Sequence, residues 1–478
     1  MKHEKKILLI SGLVLLVMAG MRWNVAIAGW LYPLPFLLYT RKDYGQKSLW
    51  LVLTLGIFLQ TAKIVSEPMY IFIALVSGIQ AGFISWFIFY IIGKARKIYS
   101  ETGVIVLFAV LVTLSEYFGA MTSVLGTWGM AANTQLENLH LLQAASVTGA
   151  YGISFLMMLT AAILESLLFH FIKQKLPAKP VLQTGGIVIL LFLILGIYSS
   201  IRLDSQIGGK QLKVAGVSAK QYNIMDVLQT DVARNGNNNE VQSLLKKAAD
   251  LQADLLVTNE GAYVIKPSEE LAWKAGLQQF ARENSTTIVA GYLILRGKGE
   301  NFFNRMLVVG ADGEILQDYN KQFIPPGEPA EKVKSGILPL QLKDKSVIIG
   351  GAICYDFDSM AITKQHGDNR AGLVAVPSSD WRGIDPVHPQ MARLRAIEQG
   401  YSVARSSRAS VSEFYDAYGR ARGSLPWFEE NDGILVATVP AQPVFTLYKM
   451  FGDWFVLLNF LYLLWAGIRF YKRRKALA

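Results

Sequence analysis

Apolar residues fall in long runs toward both ends of this chain and in short runs through its middle. The long runs cover 7–21, 25–39, 49–65, 70–92, 104–121, 141–172 and 185–201, with an eighth at 454–470. Each approaches or exceeds the roughly 20 apolar residues that a helix needs to cross a bilayer. The pattern predicts eight membrane spans, seven before the middle region and one after it. The first run has a basic flank, Lys2 to Lys6, but no small-residue cleavage site follows, so it reads as a retained helix.

Charge in the connecting loops gives the spans a direction. Arg41, Lys42 and Lys47 follow the second span, Lys94, Arg96 and Lys97 the fourth, and Lys173, Lys175 and Lys179 the sixth. Lys472, Arg473, Arg474 and Lys475 follow the eighth, whereas 122–140 holds no Lys or Arg. Basic loops stay in the cytoplasm. Both termini are therefore expected there, with the middle region on the outer side.

The middle region alternates between strand and helix signals. Short apolar runs at 212–217, 255–258, 287–292, 306–309, 346–353 and 372–376 predict strands. Helical patterns at 240–251 and 269–283 lie between some of them, and a third at 391–399 is opened by Pro389 and stopped by Gly400. The Asn-rich stretch 235–239 reads as a surface turn. Such alternation predicts a layered α/β fold. The expected division is 1–205 for the first seven spans, 206–445 for the α/β domain, and 446–478 for the last span with its basic tail.

Composition agrees with a membrane protein carrying one globular domain. Hydrophobic residues make up 52% and charged residues 17%, too apolar for an ordinary soluble chain. The net charge of +11 is clustered in short loops rather than in an aromatic-interleaved basic patch, so no nucleic-acid partner is expected. One cysteine excludes an intramolecular disulfide. The five histidines lack metal-ligand spacing, so neither a metal nor another cofactor is expected.

That single cysteine, Cys354, sits where the apolar run 346–353 ends and the chain turns. Two other strand-like runs end in chemistry-bearing groups. Leu255 to Thr258 leads to Asn259-Glu260-Gly261, and Tyr319-Asn320 leads to Lys321, with Glu328 after a proline-stiffened loop. A lone cysteine is usually a small buried apolar group. A strand-end carboxylate is usually solvated. The order Glu, Lys, Cys, each after an apolar run, is far more specific than any one of them.

This pattern resembles the Glu-Lys-Cys triad of the nitrilase superfamily. With eight spans around it, the chain resembles the apolipoprotein N-acyltransferase family, and the likeness runs through most of its length. Gly29 to Phe36, the loop with Trp128 and Gln135, Gly149 to Leu156, Asp380-Trp381 and Met391 to Glu398 all carry it. The resemblance implies an αββα sandwich with Glu260 as general base, Lys321 as charge stabiliser and Cys354 as nucleophile. It implies that Glu328 is the superfamily's additional glutamate. Tyr355, Phe323 and Trp381 are implied as supporting or acyl-chain contacts, Trp128 as a lip of the substrate cleft, and Asp380 and Arg395 as orienting groups.

Four departures from the family are present: Thr258-Asn259 where the family has Trp-Pro, Pro326 where it has an aromatic residue, Asp356 where it has glutamate, and a replaced asparagine in the run near Arg405-Ser406-Ser407. The implied substrates are a membrane phospholipid as acyl donor and the α-amino group of a lipoprotein's diacylglyceryl-cysteine as acceptor. The implied place is the bacterial inner membrane. Two other readings remain open at this level. One is a membrane-tethered amidase or hydrolase that passes the thioester to water. The other is a non-catalytic membrane binding protein, against which the retained triad argues. Paired intramembrane charges and broken helices in matching halves, which would indicate a transporter, are missing from the pattern.

Overall fold

The computed structural model describes all residues except 1, 43, 66–68, 124–125, 176–178, 298–299, 334–339, 342–346, 430 and 478. Ser346, the expected start of the strand before Cys354, and part of the loop after the sixth span lie outside these. The chain forms two compact units, Met1–Arg202 with Met450–Ala478, and Leu203–Lys449.

Among the described residues of the first unit, five helices are long and apolar enough to cross a membrane: Ile71–Ala95, Glu101–Thr122, Ala150–Ile172, Lys179–Asp204 and Trp454–Lys472. The other expected spans take shorter forms. The first and third become 17-residue helices, Lys2–Met18 and Gln46–Ala62. The run 25–39 is not one helix but two, Ala26–Leu31 and Pro33–Arg41. They meet at Pro33, which has no backbone N–H to continue the first. The run 141–172 is likewise divided. Leu139–Leu142 and Ala145–Thr148 are short helices, and Ala150–Ile172 starts afresh after Gly149 at φ +68°. That left-handed conformation favours glycine.

Charges inside this unit are paired. Glu165, 1% exposed, meets Arg41 at 2.5 Å and Arg96 at 3.2 Å, and Arg41 also meets Glu101 at 2.6 Å. A charge this far from water persists only with partners.

The second unit is built on two sheets. The first runs Ile434–Pro440, Gln211–Val217, Leu255–Thr258, Thr287–Ile294, Phe303–Val309, Ile315–Asn320, with Tyr263–Ile265 also paired to Thr287–Ile294. The second runs Ala421–Leu425, Ser412–Tyr415, Ser402–Arg408, Leu373–Ser379, Ile348–Gly351, Leu340–Gln341. Side chains alternate across each strand. Val214, Val257, Val289, Met306 and Val308 join a core with Ile349, Val374, Val403 and Phe414 of the second sheet. Val217, Leu256, Ile288, Leu307 and Val309 face the other way, with residues of the helices Asp231–Asp250 and Glu270–Asn284. Both faces are covered, which is why these strands read as continuous apolar runs. Helices Met360–Asp368 and Val387–Gln399 contribute Ile362, Ala392 and Ala396 to the core of the second sheet. The result is an αββα sandwich.

One local expectation is overturned. Residues 235–239 are not a turn but lie within the helix Asp231–Asp250. Two of their asparagines face the neighbouring backbone, while Asn235 and Asn239 are exposed. Asn237 Nδ2 donates to Ala262 O at 2.7 Å, and Asn238 both donates to Val264 O at 2.8 Å and accepts from Val264 N at 3.0 Å. Turn-forming composition loses here to tertiary hydrogen bonds that satisfy buried backbone groups.

Candidate active site

Three strand ends converge where the two sheets meet. Beyond Leu255–Thr258 the chain turns at Gly261, φ +59°, and Glu260 N donates to Ser378 O of the second sheet at 3.2 Å. The turn passes so close to Gly291 that a Cβ there would lie 2.5 Å from Asn259 O. Beyond Ile315–Asn320, Lys321 N donates to Asn304 O at 2.9 Å, which aims the lysine inward. Its side chain is 1% exposed.

The Lys321 ammonium donates to Glu260 Oε1 at 2.7 Å and to Glu328 Oε2 at 2.5 Å. Asn304 Nδ2 bridges the same pair, donating to Glu260 Oε1 and Glu328 Oε1 at 2.7 Å each. Burial opposes charge on Lys321, but the two carboxylates outweigh it and hold the ammonium well above the usual lysine range. Burial, with Glu260 beside it, pushes Glu328 up against the opposing pull of Lys321. Lys321 is thus a permanent cation between two acids.

Cys354 follows the strand Ile348–Gly351 and opens a 3-10 turn, Cys354–Asp358, at φ +46°. A non-glycine residue in that region is held there by its surroundings. Its Sγ lies 3.7 Å from Ser379 O and 3.7 Å from Asp380 Oδ1. Ser379 is the neighbour of Ser378, which binds the Glu260 backbone, so sulfur and Glu260 share one strand end. Burial pushes the thiol well above its ordinary pKa, and Glu260 and Asp380 push the same way, while Lys321 and Arg405 oppose them. The resting group is a thiol, so attack needs a base.

Asp356 shows what one departure does. Its Oδ1 accepts from Gln322 N at 3.0 Å and Phe323 N at 2.7 Å, and its Oδ2 accepts from Tyr319 OH at 2.9 Å. It pins the chain after Lys321 to the turn that carries Cys354. Burial raises its pKa to about 6 against those hydrogen bonds and the Lys321 charge.

A second polar network lies behind the sulfur. Asp380 accepts from Arg405 through both oxygens at 2.9 Å and from His388 Nδ1 at 2.8 Å. His388 Nε2 meets Asp358 at 3.2 Å. Burial works against a charged His388, but Asp358 and Asp380 raise it to about 9. Asp380, despite burial, is held well below the usual carboxylate range by Arg405 and His388. Among the described residues, Cys354, Asp380 and His388 are the metal-type donors that converge, with ligand atoms within 4.8 Å. Asp380 and His388 are engaged in ion pairs, the pattern of a proton-sharing network.

The remaining expected residues scatter. Phe323 is 42% exposed beside Lys321, whereas Tyr355 and Trp381 are half-buried next to Cys354 and Asp380 in the chain. Arg395 pairs with Glu398 at 2.5 Å on its own helix. Trp128 belongs to the helical unit, where it lines a cavity of about 400 Å³ with Tyr32, Gln60 and Glu116. Asn304, His388 and Arg405 carried no individual signal. Each is a polar residue in an apolar strand or at a helix start, a pattern that marks a buried hydrogen-bond partner.

The second unit matches the carbon-nitrogen hydrolase family over residues 215–445. By class, then, this is a nitrilase-superfamily domain joined to a unit of membrane-type helices. Residues 11–163 match the apolipoprotein N-acyltransferase N-terminal domain. The apolipoprotein N-acyltransferase of Geobacter metallireducens is 25% identical over 69% of this chain and 67% of its own length. That of Pseudomonas syringae pv. tomato is 27% identical over 68% and 67%. The chain is thus similar to apolipoprotein N-acyltransferases in both of its units. Among solved structures it is distantly similar to a carbon-nitrogen hydrolase from Helicobacter pylori, at 18% identity, TM-score 0.40, covering 48% of this chain and 89% of that one.

Proposed function

We propose that this protein moves an acyl chain from a membrane phospholipid, through a thioester on Cys354, to the α-amino group of the diacylglyceryl-cysteine of a lipoprotein. The observation that carries this reading is the Glu260–Lys321–Glu328 cluster set at the strand end that also holds the only cysteine. Glu260 takes the thiol proton as sulfur attacks the ester carbonyl. Lys321 and the Tyr355 backbone N–H stabilise the oxyanion. The leaving alcohol departs with the proton from Glu260, and the thioester remains. The incoming amine then loses a proton to Glu260, its nitrogen bonds to the acyl carbon, the C–S bond breaks, and the Glu260 proton returns to the departing sulfur. Asn304 and Glu328 keep Lys321 and Glu260 in register for both halves.

Both substrates are lipids, which accounts for a catalytic domain joined to membrane helices. The reading includes eight spans in the bacterial inner membrane, both termini in the cytoplasm and residues 206–445 outside. The loop charges support that orientation. Phe323 and Trp381 are the candidates for acyl-chain contact.

The test is intact-mass spectrometry of purified protein incubated with phospholipid. An acyl adduct on Cys354, discharged by a diacylglyceryl peptide and only slowly by water, is expected. Cys354→Ala should form none, and Glu260→Gln should remain folded but fail to load. Turnover by Cys354→Ala would sink the mechanism.

A further inference from the structure

Among the described residues, no hydrogen bond joins Cys354 to Glu260. The sulfur instead faces Ser379 O and Asp380 Oδ1. The Asp380 side chain has no exposure, and Arg405 and His388 both bond to it. His388 has a carboxylate on each ring nitrogen, Asp380 on one side and Asp358 on the other. An imidazole that donates twice is a cation. Asp380, Arg405, His388 and Asp358 thus form one buried network, with Arg405 also 3.1 Å from His388 Nδ1, and Asp380 is the member that touches the sulfur.

We infer that Asp380 is a positioning residue for Cys354: its carboxylate, clamped by Arg405 and His388, accepts the resting S–H and parks the sulfur away from Glu260. For attack the S–H turns from Asp380 to Glu260, and an arriving ester carbonyl gives the sulfur a reason to turn. Until then the nucleophile stays protonated. Glu260 and Lys321 from the first sheet, Asp380 and Arg405 from the second, His388 from the helix Val387–Gln399, and Tyr355 next in the chain are the titratable and charged groups around the sulfur. Asp380 and Glu260 favour the thiol, whereas Lys321 and Arg405 favour the thiolate. Asp380 and Arg405 are therefore bonded to each other yet act on the sulfur with opposite sign.

The inference rests on Cys354 being the nucleophile, but its test needs no substrate, so either can fail alone. Cys354 is the sole cysteine, so iodoacetamide uptake by the purified protein, read by intact mass, reports on it directly. The rate is followed from about pH 6 to about pH 10, and because the thiol is held above its ordinary range each midpoint shift is read as a displacement of the rising limb along the pH axis. Asp380→Asn is expected to move the midpoint down by about one unit, which is about tenfold faster alkylation at neutral pH. Arg405→Met is expected to move it up by a similar amount. Asp380→Glu, which keeps the charge, should stay near the parental profile. Both charge-removing variants break the same ion pair, so plain packing damage would shift both the same way. Thermal midpoints identify any variant that unfolds. If both do, His388→Gln, which leaves Asp380 and Arg405 together, should raise the midpoint. Shifts of one sign, or unchanged profiles in folded variants, would overturn the inference.

Discussion

Asp356 holds the backbone of Phe323: its Oδ1 accepts that N–H at 2.7 Å, one residue beyond its bond to Gln322. The turn bearing the nucleophile thereby fixes the segment that follows the lysine. Asp356→Ala leaves two amides and the Tyr319 hydroxyl without their acceptor, and should cost about 3 kcal/mol. Asp356→Asn keeps one oxygen for the two amides and should cost much less. Because burial raises Asp356 to about 6, the folded state binds its proton more tightly than the unfolded chain does. Its contribution is therefore present below about pH 4 and lost as pH rises through about 6. Thermal unfolding of the detergent-solubilised protein across that window should show the decline, and Asp356→Asn should flatten it.

Asn304 supplies the only neutral donor shared by Glu260 and Glu328 among the described residues. Asn304→Ala should lower acyl-transfer kcat by about tenfold through loosened register, with Lys321 still in place. Asn304→Asp puts a third carboxylate into the cluster and should be far worse. Equal losses in the two variants would show that donation to the acids is not what Asn304 contributes.

Lys321→Met removes the cation from between two carboxylates. The loss should reach about a hundredfold or more in kcat, because one charge stabiliser is gone and two buried acids repel. Lys321→Arg should not rescue, since a planar fork cannot replace a point charge in this space. Single-turnover measurement of acyl-enzyme formation checks both.

Asn237 ties its helix to Ala262, the second residue after Glu260. Asn237→Ala should lower stability by about 1–3 kcal/mol while leaving kcat per folded molecule near normal. Differential scanning fluorimetry beside turnover separates the two effects.

The proposed topology is checked with alkaline phosphatase fusions, an enzyme active only outside the cytoplasm. A fusion within 177–182 should be inactive, and one within 211–440 should be active. The reverse pattern would invert the orientation drawn from the loop charges.

The positions of Glu260 and Cys354 were legible because each follows a largely buried strand that stands out as an apolar run, whereas Lys321 follows the half-exposed, polar strand Ile315–Asn320 and was singled out by the order Glu, Lys, Cys. The α/β layering followed from the same runs, and the αββα order from the family resemblance. Asp356 was marked as a departure beside the triad, but Asn304, His388 and Arg405 were not legible as site residues. Their partners are defined by the packing of two sheets, and nothing in the residue alone distinguishes a bridge from a surface group. The asparagines at 235–239 misled for the converse reason. Their local preference is for a turn, and only the backbone at 262–264, folded alongside, makes a helix the better solution. The division of the run 25–39 at Pro33 was open to a simple rule, but bilayer-length hydrophobicity masked it.

The first sheet has its outermost strand, Ile434–Pro440, paired antiparallel to its earliest, Gln211–Val217. The residues that begin the domain thus wait for those that end it. During synthesis, Glu260 and Lys321 emerge before Cys354, yet the sheet that seats them is completed only by residues made last. A nascent chain therefore carries its sulfur as an ordinary, unassisted thiol until the domain is nearly all present. Burial in the finished fold pushes that thiol above its ordinary range, so the fall in its alkylation is a clock for the final step of folding.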